Sequence, residues 1–333
     1  MNEWLEKRTL LARCLWPLSQ VFLLLSTLRK RYWQAWSARH PLNAPPIVII
    51  GNIRVGGVGK TPLLIHLVQA LQAAHCRVGV ISRGYGGSQT GWVTSNSDPR
   101  LLGDEPVMIA QLAPVVVHPD RRRAVQLLLA KTALAQTPVD LILSDDGLQH
   151  YRLPRDYEVV VMDARGIGNG YLLPAGPLRE NVDRLQTVNH IVLNQTEAQV
   201  LPAALLTPRT HMHLSLLGLF RVLDDQPVPI EQWQQPLHAV CGIGYPPRFF
   251  DSLQQLKLDF TPHIFSDHHA FVASDLPNDR PIVMTQKDAV KIRAFATPQH
   301  WYLRIAVQLD SAQLLEDLLA LSLRYRHNQG VSL

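Results

Sequence analysis

The segment Gly51-Asn52-Ile53-Arg54-Val55-Gly56-Gly57-Val58-Gly59-Lys60-Thr61-Pro62 constrains this chain more than any other stretch. It follows a short β-branched run, Ile47–Ile50, and precedes a helical pattern from Pro62 to about His75. A glycine-rich turn between strand and helix lets successive backbone N–H groups close around phosphate oxygens, and the helix start adds positive potential. Val55, Gly56, Gly57, Val58, Gly59, Lys60, Thr61 and Pro62 are therefore the candidate nucleoside-triphosphate loop. In such a loop the lysine reaches the β- and γ-phosphates and the threonine hydroxyl takes Mg²⁺. Pro62 suits a first helical turn, where its missing N–H is harmless. Where such loops usually open with glycine, Arg54 stands.

The punctuation that follows predicts an α/β fold. Short apolar runs at 78–82, 114–118, 139–144, 158–163 and 190–194 lack clean alternation, as expected of strands buried on both faces of a parallel sheet. A helix is expected over 121–135. After about residue 200 a second series begins, with strands at 237–241, 281–285 and 301–307 and helices at 246–256 and 310–325. The expectation is a P-loop NTPase-like, doubly wound, mostly parallel sheet over 41–200, with a second, smaller α/β lobe over 201–333 closing on the site.

The run Val139–Ser144 ends in Asp145-Asp146-Gly147. A carboxylate at the end of an apolar strand is the second half of a triphosphate site, because it holds the metal directly or through water. Gly103-Asp104-Glu105-Pro106 offers a further carboxylate pair, which by itself reads as the dipole-favoured start of a helix. The triple Arg121-Arg122-Arg123 reads as a solvated helix face ahead of a phosphate contact. Asp267-His268-His269 suits a general-base pair as well as a metal site. Thr285-Gln286-Lys287-Asp288 and, more loosely, Asn194-Gln195-Thr196-Glu197 resemble the guanine-reading element of switch proteins, so a membrane-associated GTPase or ATPase switch is the alternative function.

Charge matters here through its location. The net charge is +5, and residues 1–40 alone hold seven basic residues against Glu3 and Glu6. The remainder balances, which removes a surface-wide nucleic-acid footprint. Between Leu15 and Leu28 no charge occurs, a run shorter than the ~20 residues of a spanning helix. Leu11, Leu15, Leu18, Phe22 and Leu25 make one helical stripe, Pro17 is expected at a first turn, and Arg29, Lys30, Arg31, Tyr32, Trp33 and Trp36 follow. Such an N-terminal amphipathic helix either lies in an anionic membrane interface or packs on its own domain. Cys14, Cys76 and Cys241 are too few and too scattered for a disulfide framework or a cysteine zinc site, which suits a reducing compartment.

Taken in order, G-N-x-x-V-G-G-V-G-K-T-P at 51–62, S-R-G-Y-G-G at 82–87, G-D-E-P at 103–106, H-P-D-R at 118–121, D-D-G-L-Q-H at 145–150, L-P-A-G-P-L-R-E at 173–180, D-H-H at 267–269 and T-Q-K-D-A-V-K at 285–291 resemble the tetraacyldisaccharide 4′-kinases, the lipid A kinases. The resemblance covers nearly the whole chain. It implies transfer of the γ-phosphoryl group of ATP to the 4′-hydroxyl of tetraacyldisaccharide 1-phosphate, giving lipid IVA, at the cytoplasmic face of the bacterial inner membrane. It implies Asp104 as the base, paired with His268, and Lys60 and Asp146 as further catalytic groups. Thr61, Glu105 and Asp145 would hold Mg²⁺, and Asn52, Arg83, Arg121, Gln149 and His150 would face the substrate.

Overall fold

The computed structural model describes residues 6–194, 201, 205–230, 233 and 236–330. Thirteen strands lie among them: β1 (Ile47–Gly51), β2 (Val78–Ser82), β3 (Gly91–Val93), β4 (Val115–Val117), β5 (Leu141–Asp145), β6 (Tyr157–Asp163), β7 (His190–Asn194), β8 (Arg209–Arg221), β9 (Pro227–Val228), β10 (Leu237–Cys241), β11 (Phe260–Ile264), β12 (Ile282–Thr285) and β13 (His300–Leu309). They form one sheet in the order β11-β10-β12-β13-β8-β7-β6-β1-β5-β2-β4-β3, with β9 on β8. Pairing is parallel except at β13–β8, β3–β4 and β8–β9.

The helices are α1 (Leu10–Arg39), α2 (Lys60–Ala73), α3 (Pro99–Leu102), α4 (Asp104–Ile109), α5 (Arg121–Leu134), α6 (Pro246–Gln255), α7 (Gln286–Ile292) and α8 (Gln313–Asn328). Both faces of β1 are buried. Val48 and Ile50 join Leu63, Leu67 and Leu314 in one core; Ile47 and Ile49 join Ala124, Val125 and Leu128 in another. Successive strand side chains point to opposite faces, so α2 and α8 cover one side and α5 the other. This double winding exposes the carboxyl ends of β1, β5 and β2 to a common cleft, where open α/β sheets bind ligands.

Helix α1 departs from two expectations. It is 30 residues long, and by length and composition it could cross a membrane, although its uncharged run is short. Pro17 lies inside it, not at its first turn, and deletes one helical hydrogen bond there. The helix is also turned outward. Ala12 and Ser19 are buried with Ser26 and Trp33 half-buried at the same seven-residue spacing, while Leu11, Leu18 and Leu25 of the predicted stripe stand in the open, Leu18 56% and Leu25 61% exposed. Ser19 Oγ donates to Leu172 O at 2.8 Å and accepts from Ala175 N at 3.1 Å. At the far end Trp36 is held between His40, stacked at 4.1 Å, and the guanidinium of Arg152 at 4.7 Å. Ala12, Ser19, Phe22 and Leu23 seat the helix on the protein, and Leu11, Leu18 and Leu25 are left exposed.

Candidate active site

The turn from β1 to α2 is stiffened from within. Gly56 (φ 95°) and Gly59 (φ 93°) adopt left-handed conformations that strain other residues. Asn52 Nδ2 donates to Arg54 O at 2.7 Å and to Gly56 O at 3.3 Å, drawing the loop around its own side chain. Asn194 Nδ2 at the end of β7 donates to Val58 O at 2.8 Å, and a Cβ at Gly59 would lie 2.2 Å from that nitrogen. Arg165 donates to Gly57 O at 2.5 Å. Lys60 Nζ donates to Asn52 Oδ1 at 3.3 Å and lies 3.3 Å from Asp146 Oδ1. The ammonium is thus aimed along the loop beside the second carboxylate element.

Asp145 and Asp146 part at the end of β5. Asp145 continues the strand and is buried; Asp146 takes φ 45° and turns its carboxylate toward Lys60 and Arg179. Burial drives the Asp145 carboxyl up, helped by Glu105 and Asp146, to about 7. Its Oδ2 accepts from Ser82 Oγ at 3.3 Å, and its Oδ1 is buried with no hydrogen-bond partner. Burial also acts to raise Asp146, but Lys60 and Arg179 outweigh it and hold this carboxyl below its ordinary value. One carboxylate is therefore poised near neutrality and its neighbour is fully ionised.

Asp104, 4% exposed, opens α4 after Gly103. His268 Nδ1 lies 3.1 Å from Asp104 Oδ2 and 3.2 Å from Oδ1. Burial favours the neutral acid, yet the His268 hydrogen bond, Lys287 and Lys291 keep the Asp104 carboxyl below its ordinary value. His268 itself has φ 59°, a left-handed conformation that costs a histidine on the order of 1 kcal/mol and is a feature of functional sites. His269 turns away to Asp275 Oδ2, 3.0 Å distant, and packs against Phe265 and Phe271. Of the two histidines, His268 faces the cleft.

Lys287 was not picked out as a site residue from the sequence. Its Nζ lies 3.3 Å from Glu105, 3.3 Å from Asp267, 3.7 Å from Asp104 and 3.2 Å from His268 Nε2. Burial opposes its charge, but the carboxylates of Glu105, Asp104 and Asp267 raise its affinity for the proton well above that of an ordinary lysine. Arg179 and Glu180 are further additions. Gln149 Nε2 donates to Asn52 O at 3.0 Å and Glu180 Oε1 at 2.9 Å, and Arg179 reaches Gln149 and Asp146 at 3.3 Å. Only tertiary contact reveals these three, although all sit inside the quoted motifs.

The triple arginine is not a solvated face. Arg121 is 2% exposed and donates to Asp145 O at 2.6 Å, with Nε and Nη1 buried and unpartnered; Arg122 donates to His40 O at 2.7 Å; only Arg123 is exposed. Burial, with Arg121, Arg83 and Arg29 nearby, lowers the His150 imidazole to about 4, so this histidine is neutral. Arg83, Arg121, Gln149 and His150 all line the cleft, together with Lys60, Thr61, Glu105, Asp145, Asp146 and His268. Asn52 is fully buried beneath it.

The guanine-reading pattern at 285–288 does a structural job. Asp288 is fully buried, accepts from Gly242 N at 2.9 Å and Thr285 Oγ1 at 2.7 Å, and pairs with Lys291 at 2.8 Å. No carboxylate oxygen is left to read a base. In the second such pattern Gln195, Thr196 and Glu197 lie outside the described residues, and Asn194 is engaged with the loop.

The sequence profile of the tetraacyldisaccharide-1-P 4'-kinases matches residues 11–323. The chain belongs to that family. It is 42% identical over 312 residues to a tetraacyldisaccharide 4'-kinase of Hahella chejuensis, covering 90% of this chain and 89% of the relative. It is 44% identical over 303 residues to one of Pseudoalteromonas atlantica, covering 89% and 95%. Its fold is similar to that of LpxK from Aquifex aeolicus, solved as an "apo" form in complex with ATP, with a TM-score of 0.79 at 25% identity over 94% of this chain and 99% of that one. Family membership and the occupied Asp288 carboxylate together set aside the switch-protein alternative.

Proposed function

We propose that this family member transfers the γ-phosphoryl group of ATP to the 4′-hydroxyl of tetraacyldisaccharide 1-phosphate, forming lipid IVA, at the cytoplasmic face of the bacterial inner membrane. The observation that carries this reading is a single cleft of about 1610 Å³ that is lined both by Phe22, Leu25 and Lys30 of α1 and by Lys60, Asp146 and His268. An acylated sugar thus has an apolar approach to the place where a triphosphate would lie. The outward leucines of α1 and the adjoining Arg29, Lys30, Arg31, Tyr32 and Trp33 suit a helix lying in an anionic bilayer interface.

Phosphoryl transfer asks for alignment and charge neutralisation more than covalent help. The backbone N–H groups of Gly56–Thr61 and the Lys60 ammonium hold the β- and γ-phosphates. The donor set fits Mg²⁺: Asp145 has a buried oxygen without a partner, Thr61 follows the loop lysine, and Glu105 lies close enough to raise the Asp145 carboxyl. Among the described residues no three His, Cys, Asp or Glu side chains form a metal cage, so the remaining ligands would be phosphates and water, as Mg²⁺ prefers. Bound there, the ion would neutralise charge on the transferring group.

The acceptor proton goes to the Asp104–His268 pair. Asp104 takes the proton as its ionised carboxylate: Lys287 and Lys291 keep it charged beforehand, and the hydrogen bond that His268 Nδ1–H donates to it fixes its orientation. Gln149, His150, Arg83 and Arg121, which line the same cleft, orient the sugar. The C-terminal half supplies His268, which already stands 3.1 Å from Asp104.

Phosphotransfer from radiolabelled ATP and GTP, with and without the disaccharide lipid in mixed micelles, tests the proposal. Acceptor-dependent transfer from ATP is expected. Acceptor-independent hydrolysis with GTP preferred would overturn it.

A further inference from the structure

Arg54 opens the phosphate loop, is only 3% exposed, and directs its side chain away from the phosphates. Its Nη2 donates to Glu6 Oε1 at 2.7 Å, its Nη1 donates to Gly166 O at 3.2 Å, and its Nε is buried with no partner. Among the described residues Glu6 is the carboxylate paired with it. Glu6 belongs to the segment that leads into α1. Two residues on, Arg8 donates to Asn169 O at 3.1 Å and lies over the Tyr171 ring at 5.2 Å, so the segment is laid along the 166–171 turn.

We infer that the Glu6–Arg54 ion pair is a positioning device that ties the lipid-facing N-terminal segment to the phosphate loop, so that the seating of that segment sets the loop's affinity for ATP. The inference rests on the reading of 55–61 as an ATP site. A guanidinium this buried needs an anion, and losing the partner leaves an uncompensated charge that the surroundings relieve by moving. The part that moves is the loop itself. Arg54 is bridged to Leu178, the next amide, Val55 N, donates to Pro177 O at 2.9 Å, and Asn52 Nδ2 is bound to the Arg54 carbonyl. Rotation of Arg54 toward water would therefore disturb the amides that must converge on phosphate oxygens, where displacements well under 1 Å matter. The contacts from Asn52, Asn194, Arg165 and Pro177–Arg179 belong to the body of the fold, whereas this one comes from the segment that α1 carries.

Titration calorimetry of Mg·ATP into the full-length protein tests the inference, beside steady-state kinetics for both substrates. Glu6→Gln should weaken ATP binding about tenfold and raise the KM for ATP by a similar factor, leaving the KM for the lipid acceptor unchanged. Arg54→Met removes the buried charge without unpairing it, and adding Glu6→Gln to Arg54→Met should weaken ATP binding no further. Unchanged ATP affinity in Glu6→Gln, equal losses for both substrates, or an additive loss in the double variant would overturn the inference. A wild-type protein that fails to bind ATP would instead overturn the nucleotide reading on which it stands.

Discussion

Asp104 Oδ2 and His268 Nδ1 lie 3.1 Å apart although 164 residues separate them in the chain. One comes from the first turn of α4, the other from the loop after β11, and Lys287 on α7 braces both. Asp104→Asn and His268→Ala should each lower kcat about 10²–10⁴-fold, the range for loss of a general base, with ATP affinity nearly unchanged. Turnover kinetics alongside nucleotide titration checks this, and a variant with full kcat would remove its residue from the proton path.

The proposed Mg²⁺ site predicts a pH dependence that runs through Asp145. Without metal its carboxyl titrates near 7, pushed there by burial, Glu105 and Asp146. A cation must displace that proton, so Mg²⁺-dependent nucleotide binding should strengthen as pH rises through about 7 and level off above it. Binding isotherms from pH 5.5 to 8.5 read this out, and Asp145→Asn should flatten the profile as well as weaken it.

Acid stability should depend on Asp140. Its carboxylate is buried and clamped by Arg77 at 2.6 Å and by Arg326 of α8 at 2.5 Å. Burial alone would raise this carboxyl, but the Arg77 and Arg326 hydrogen bonds hold it below its ordinary value. With the folded pKa below the unfolded one, the stabilisation is present above the ordinary carboxylate range and is lost as pH falls through the folded value. Asp140→Ala takes the shared carboxylate from Arg77 and Arg326 and should lower stability at neutral pH. Urea titrations at pH 7 and pH 3 should show this gap shrinking in acid.

Membrane seating should follow the outward face of α1. Leu18→Ser with Leu25→Ser removes apolar surface that touches no core, so sedimentation with anionic vesicles should fall several-fold while the melting temperature stays put. A melting temperature that fell with binding unchanged would assign the leucines to the fold.

Much of the doubly wound sheet was legible from residue order. Val78–Ser82, His190–Asn194 and Leu237–Cys241 fall at their expected bounds, because buried parallel strands are uninterrupted apolar runs. Strand β8 was missed. Its thirteen residues mix buried Thr210 and Met212 with exposed Arg209 and His213, a half-covered pattern that carries no continuous apolar signal. Strand β11 was missed as well, with Pro262 inside a sheet-edge strand. At the site, the glycine loop and the paired aspartates were plain, since backbone geometry and local spacing encode them. Lys287, Arg179 and Glu180 acquire meaning only from partners far away in sequence. Periodicity joins Leu11, Leu15, Leu18, Phe22 and Leu25 in one stripe, but it does not tell which members meet a core, as Phe22 does, and which are left exposed, as Leu18 and Leu25 are.

Strand β8 has a consequence of its own. It is hydrogen-bonded to β7 along one edge and to β13 along the other, so the half carrying His268 and the half carrying Lys60 share a spine and are not beads on a string. Any approach of one half to the other must be a flexing of that spine. The ribbon bends at the register shift between Arg304 and Ile305 opposite Gly218, whose φ is 119°. His268 and Lys60 are thereby joined through one continuous β-ribbon, and swings wider than a bent ribbon permits are closed to this enzyme.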